Sequence, residues 1–216
     1  MRLAKLRRFF LTFLFALPVF LASAQEFPSE MWHTGVLVTV DGDTVKGQIK
    51  YDLQNDVVQI KLRDVMQTFS ARKIHYFEIF DETIDSYRHF YALPYSVQNN
   101  YQVPLLFEVL YEGQLSLLCR EEIVTETSPQ YNSYPYGYYG GTPYSQTRRA
   151  RLKYQYYFLE KQGDITVYNL KKSELFSFFK KNQQQMKQYI KKNNLKHDRM
   201  RDLVRIVAYY NALLDK

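Results

Sequence analysis

The stretch Gly35 to Tyr51, GVLVTVDGDTVKGQIKY, constrains the fold more than any other part of this sequence. Val36, Val38 and Val40 alternate with Leu37 and Thr39; Val45, Gly47, Ile49 and Tyr51 then alternate with Lys46, Gln48 and Lys50. A period of two marks a β-strand with unlike faces, and Asp41-Gly42-Asp43 supplies residues suited to a tight hairpin turn.

The pattern continues downstream. Val57–Leu62, Val65–Phe69, Ile74–Phe80 and Ile84–Tyr91 read as strands, with turns at Asn55-Asp56, Ser70–Lys73 and Asp81-Glu82. Residues 92–103, which contain Pro94, Asn99 and Asn100 with Pro104 just beyond, read as a loop. Leu105–Tyr111 is apolar on both faces except for Glu108, as in a strand covered on both sides. Gln114–Arg120 with Glu122–Thr127, Arg151–Glu160 and Ile165–Leu170 complete a set of nine to eleven strands joined by short turns. The expected fold class is α+β, mainly β: an antiparallel meander, barrel-like or sandwich-like, over residues 25–170. With 20 Tyr and 15 Phe in the chain, aromatic rings must supply much of its core.

After Leu170 the period changes to that of helices. Ser173, Asn182 and Asp198 read as N-caps of three of them. Their apolar sides are Leu175, Phe176 and Phe179; Met186, Tyr189 and Ile190; and Leu203, Ile206, Val207, Tyr210, Leu213 and Leu214. The segment 171–216 is therefore expected to pack on the β-domain through these stripes.

The first 24 residues carry Arg2, Lys5, Arg7 and Arg8, then an apolar run to Leu21 and Ala22-Ser23-Ala24. This is the pattern of a signal peptide cleaved before Gln25. The apolar run is shorter than the roughly 20 residues of a membrane-spanning helix, and no second apolar stretch is long enough to span as a helix, so no integral span is expected after cleavage. Charge is uneven: residues 25–170 hold 13 Lys/Arg against 18 Asp/Glu, and residues 171–216 hold 12 against 4. The asymmetry reads as a basic helical tail resting on an acidic β-domain; an exported chain without a nucleic-acid motif implies no nucleic acid partner. The lone Cys119 has no partner for an internal disulfide and shares its phase with Leu115 and Leu117, as a small buried hydrophobe would.

Few residues suggest chemistry. Pro129–Gln146, PQYNSYPYGYYGGTPYSQ, places Tyr131, Tyr134, Tyr136, Tyr138, Tyr139 and Tyr144 among Pro, Gly, Ser and Asn. Such composition suits a long exposed loop, and its rings could stack on a sugar or a partner protein. Asp41-Gly42-Asp43 lacks the further oxygen ligands of a calcium loop. His33, His75, His89 and His197 lack zinc-site spacing, although His75 and His89 fall on neighbouring strands. Asp81, Glu82 and Asp85, and the adjacent Glu121 and Glu122, read as solvated charge. No nucleophile elbow, phosphate loop or dinucleotide fingerprint is present. No catalytic, metal or cofactor residues are assigned.

Three segments carry a resemblance: Gly35–Tyr51; LFEVLYEGQLSL, Leu106–Leu117; and KKNNLKHDRMRDLVRIVAYYNAL, Lys191–Leu213. In these the chain resembles an uncharacterised family of exported proteins common in Bacteroidota. The resemblance implies architecture and export, to the periplasm, the outer membrane or secretion, rather than an activity. The expected function is that of a non-enzymatic cell-envelope protein with a binding or structural accessory role, its partner another envelope protein or a glycan. The alternatives are a carbohydrate- or peptide-binding module using the tyrosine loop and, more distantly, a hydrolase.

Overall fold

The hairpin expected at Gly35–Tyr51 is the middle of a larger sheet. In the computed structural model, which describes residues 27–63, 65–98, 101–130 and 145–215, ten antiparallel strands share one sheet. They are β1 (His33–Thr39), β2 (Thr44–Asp52), β3 (Val57–Leu62), β4 (Val65–Ser70), β5 (Ile74–Asp81), β6 (Ser86–Gln98), β7 (Tyr101–Tyr111), β8 (Leu115–Gln130), β9 (Ser145–Glu160) and β10 (Ile165–Tyr168). Three helices follow: α1 (Lys172–Phe178), α2 (Gln183–Lys192) and α3 (Met200–Leu214). The fold is mainly β, of the α+β class. The leader expected at residues 1–24 and all six tyrosines of the predicted loop lie outside the described residues.

Strand order is β10-β9-β8-β7-β6-β5-β1-β2-β3-β4, a meander interrupted where β1 inserts beside β5. That interruption forces curvature. Ser70 and Ile74 are four residues apart, a reach of at most about 14 Å. A flat sheet would hold β4 and β5 four strand spacings apart, about 19 Å. The β1–β4 end therefore curls, yet the sheet stays open, with β4 and β10 as its edges. Gly35 and Gly47 face each other at the curl. A Cβ on Gly35 would stand 2.3 Å from the Glu78 carbonyl, and one on Gly47 2.6 Å from that of Lys61. Only glycine allows that approach.

The register puts two apolar cores on one face. Leu37, Ile49, Ile60, Phe77, Ile79 and Phe90 fill the hollow of the curl. Leu117, Cys119, Tyr156, Phe158 and Tyr168 receive the buried sides of the helices, among them Leu175, Phe179, Met186, Leu203, Ile206 and Tyr210. The rungs Phe77↔Phe90, Phe90↔Glu108, Glu108↔Cys119 and Cys119↔Tyr156 join the two regions.

Several local expectations are corrected. Residues 92–103 are mostly ladder: β6 and β7 pair out to Gln98↔Tyr101, with Pro94 opposite Pro104. At that level β6 has no rung to β5 and β7 none to β8, and a strand free on its outer side tolerates proline. The flanks of the predicted 129–146 loop are also strand, paired at Pro129↔Gln146 and Gln130↔Ser145. The helices begin after Lys171, Asn182 and Arg199, and none has a side-chain N-cap bond. Instead the first-turn carboxylates of Glu174 and Asp202 accept the N–H groups of Asn169 and Lys196, which places negative charge at the positive helix end. Leu214 is exposed rather than buried. The helical segment meets the sheet through apolar side chains; among the described residues the ion pair between them is Lys180–Glu160. No helix among the described residues is long and apolar enough to cross a membrane.

Candidate functional site

Between the two cores, on the same face, sits a buried ionic cluster around Arg88 of β6. Alternation fixes its direction: Arg88 is two residues from Phe90, and Glu108 of β7 is the rung partner of Phe90. Glu108 grips the guanidinium at two points, Nε to Oε1 and Nη2 to Oε2, both 2.8 Å. Nη1 donates to the Tyr51 hydroxyl at 2.7 Å and to Asp81 Oδ2 at 3.2 Å, and Nη2 also donates to Glu121 Oε2 at 3.3 Å. All five donors of the guanidinium are thus engaged. The plane lies over the rings of Tyr51 and Phe90, 5.5 and 5.2 Å from their centroids.

Burial works against the charge on Arg88. The hydrogen bonds and charge of Glu108, then Tyr51 and Glu121, outweigh it and hold the pKa above its usual value. Asp81 is held below the usual carboxylate value: burial opposes this, but the Thr83 hydroxyl and N–H, with Arg88 and His33, prevail. Burial pushes the Tyr51 hydroxyl far above the phenol range; Arg88 pulls it down, and Glu121 and Glu108 push it further up.

One carboxylate is incompletely served. Glu121 is 5% exposed; its Oε1 is enclosed and has no hydrogen bond of ordinary geometry among the described residues, while the Tyr51 hydroxyl, which accepts from Arg88, has its own proton to give and interacts with the Glu121 carboxylate. Glu121 also borders a cleft of about 370 Å³, where the end of β2 and the β2–β3 turn approach β8 and the Pro28–Glu30 turn. Tyr51, Glu30, Lys50, Asp52, Gln59 and Ile123 share its lining. The Pro28–Glu30 wall is tied down by the buried His33, whose Nε2 donates to the Pro28 carbonyl at 2.7 Å.

A second polar junction holds the β2–β3 turn in place. Beyond Glu108 the ladder between β7 and β8 ends, and Asp56 enters the fork. Its Oδ1 accepts the Leu106 N–H at 2.7 Å, while Arg120 donates to the Leu106 and Leu53 carbonyls and to Asp56. The two side chains satisfy backbone groups a neighbouring strand would have served.

Residues singled out in the sequence fare variously. Tyr131, Tyr134, Tyr136, Tyr138, Tyr139 and Tyr144 cannot be placed, lying outside the described residues. Asp41-Gly42-Asp43 is a turn, closed by the Thr39 N–H on the Asp43 carbonyl and by Gly42 at φ +89°. His75 and His89 do not meet: the register sets His89 opposite Glu78, 3.0 Å from its carboxylate. Cys119 is buried, and burial lifts its thiol pKa well above the usual value. Asp81 and Glu121 are buried members of the cluster, contrary to their reading as solvated charge. Among the described residues no group of three or more His, Cys, Asp or Glu side chains is arranged for a metal ion.

No family model, no curated protein and no solved structure matches this chain.

Proposed function

We propose that this is an exported cell-envelope protein that works without catalysis, as a binding or structural accessory to another envelope component. The cleft beside Glu121 carries the reading. Its rim of Glu30, Lys50, Asp52 and Gln59 lies beside a fixed ionic cluster, a concave polar surface on which a partner group can be held. Asp81, Glu108 and Glu121 are all held on Arg88, so the cluster offers no free acid–base pair. The cleft volume falls in the range of small-ligand sites, about 300–1,000 Å³. Export rests on the basic and apolar pattern of residues 1–24 and on the family resemblance. Fractionation of cells producing a C-terminally tagged chain tests it: the protein is expected in the periplasmic or outer-membrane fraction, starting at Gln25. An intact Met1 in the cytosol would overturn export, and a Glu121-dependent turnover would overturn the non-enzymatic role.

A second reading, a carbohydrate- or peptide-binding module, is favoured by the β8–β9 ribbon. These strands pair with each other to Gln130↔Ser145, far past the last rung to β7 at Glu108↔Cys119. The tyrosine-rich segment is joined to the end of that ribbon. Replacing residues 131–144 with a two-residue turn is expected to abolish binding on a glycan or peptide array while leaving Tm nearly unchanged. Unaltered array binding would remove this reading.

A further inference from the structure

We infer that the outer face of the curl carries a binding groove for an acidic oligosaccharide, a uronate carboxylate held at Lys46, Lys61 and Arg63 and a sugar ring stacked on Tyr87. The groove has a volume of about 580 Å³, within the range of ligand sites, and shares no lining residue with the cleft beside Glu121. Register lays out its floor. On the face opposite the core, Tyr87↔Phe80, Phe80↔Thr34, Thr34↔Gln48 and Gln48↔Lys61 form one row across five strands. Val36, Lys46 and Glu78 stand in the next row, and Leu62 and Arg63 at the end of β3 complete the lining.

Three features along that row select the ligand. At one end Tyr87 is 61% exposed, and Phe80 braces it with ring centroids 5.1 Å apart and planes at 65°. A braced, exposed phenol offers a flat apolar face with a hydroxyl handle, on which the C–H side of a sugar ring can stack. In the middle Gln48 donates to the Thr34 hydroxyl at 2.9 Å, and both exposed side chains keep donor and acceptor capacity for sugar hydroxyls. At the other end Lys46, Lys61 and Arg63 outnumber Glu78, whose carboxylate already lies 3.0 Å from His89. That surplus of positive charge favours an anion. Phe80 and Lys61 are three strand spacings apart, about 14 Å, a span for several linked sugars rather than one. An acidic peptide without rings would meet the cations alone.

The test titrates the purified protein with three probes, following backbone amide shifts. They are trigalacturonate; its methyl ester, which keeps the rings and removes the charge; and Nα-acetyl-triglutamate amide, which keeps three carboxylates and removes the rings. Trigalacturonate is expected to bind at least tenfold more tightly than either of the others and to shift amides at Gln48, Lys61 and Tyr87. Lys61→Glu and Tyr87→Ala, both at exposed positions, should each weaken it at least fivefold with an unchanged circular dichroism spectrum. Lys192→Glu, on α2, should leave it unaltered. An ester as tight as the acid would overturn the role of the cations, and a triglutamate as tight as the sugar would overturn the saccharide assignment. Equal losses in Lys192→Glu and Lys61→Glu, or shifts from none of the probes in a folded protein, would overturn the groove as a site.

Discussion

The carboxamide of Asn211 in α3 pairs with the backbone of Leu115 at the start of β8, accepting its N–H at 3.0 Å and donating to its carbonyl at 2.9 Å. A second Nδ2 proton goes to the Val207 carbonyl one helical turn back. The amide thus serves β8 as another strand would, and it fits because Gly113 leaves room: a Cβ there would lie 2.5 Å from Asn211 Oδ1. Asn211→Leu strands two buried backbone groups and is expected to cost about 2–4 kcal/mol in urea unfolding. Gly113→Ala should loosen the same contact, raising amide exchange at Leu115 and in α3 before the rest of the sheet.

The facing glycines at the curl make a sharper test. Gly35→Ala and Gly47→Ala each push a methyl group onto a backbone carbonyl, which cannot rotate away as a side chain can. Each substitution should destabilise by about 1–3 kcal/mol, the usual cost of overpacking. At Gly42, in the open turn at φ +89°, alanine meets no atom within 4 Å and pays only for its backbone angle. Thermal melts of the three variants should therefore place Gly42→Ala as the mildest.

Removing the centre of the ionic cluster exposes its carboxyls to one another. Arg88→Met is expected to cost about 3–5 kcal/mol at neutral pH, because Glu108, Asp81 and Glu121 are left buried without their counter-charge. The penalty should shrink below about pH 4, where carboxyls take up protons. In the parent protein Asp81 has a folded pKa below its ordinary 3.8, so its contribution is complete above that value and fades as pH falls through the folded pKa. Asp81→Asn should flatten that acid limb in a pH series of denaturant midpoints.

The fork between β7 and β8 separates acceptor from charge. Asp56 sits at φ 53°, which asparagine tolerates. Asp56→Asn can keep an oxygen on the Leu106 N–H while losing the ion pair with Arg120. Asp56→Ala loses both and strains the backbone. Alanine is expected to cost about 1–3 kcal/mol and asparagine clearly less.

Buried phenols govern the alkaline limit. Burial raises Tyr154 to about 12, and Tyr51, Tyr156 and Tyr168 are pushed higher still. In the unfolded chain these groups ionise near 10, so the folded state holds their protons longer. Stability should fall from pH 10 upward, and absorbance at 295 nm should show a late tyrosine step coincident with unfolding.

Much of the scaffold was legible in the sequence because its cause is local. Alternation at Val36–Tyr51, turn residues at Asp41–Asp43 and Asn55-Asp56, and the helical stripes of Leu203–Tyr210 state which faces are covered without reference to distant residues. Cys119 and Glu108 were legible in part, one through its phase with Leu117 and the other as the single charge in an apolar strand. The partners of Glu108 were not. Arg88 and Glu121 look like ordinary charges, although both keep the phase of buried neighbours, Phe90 and Cys119, a signal that could have marked them.

By itself, then, the sequence determined antiparallel strands, their approximate ends and three amphipathic helices, because side-chain period and turn chemistry act within a few residues. Only the tertiary structure decided that β1 inserts beside β5, that the sheet curls at two glycines, and that Tyr51, Asp81, Arg88, Glu108 and Glu121 meet. Those outcomes depend on register and curvature, which bring Tyr51 and Arg88, 37 positions apart, within a hydrogen bond's length, and no local pattern encodes that meeting.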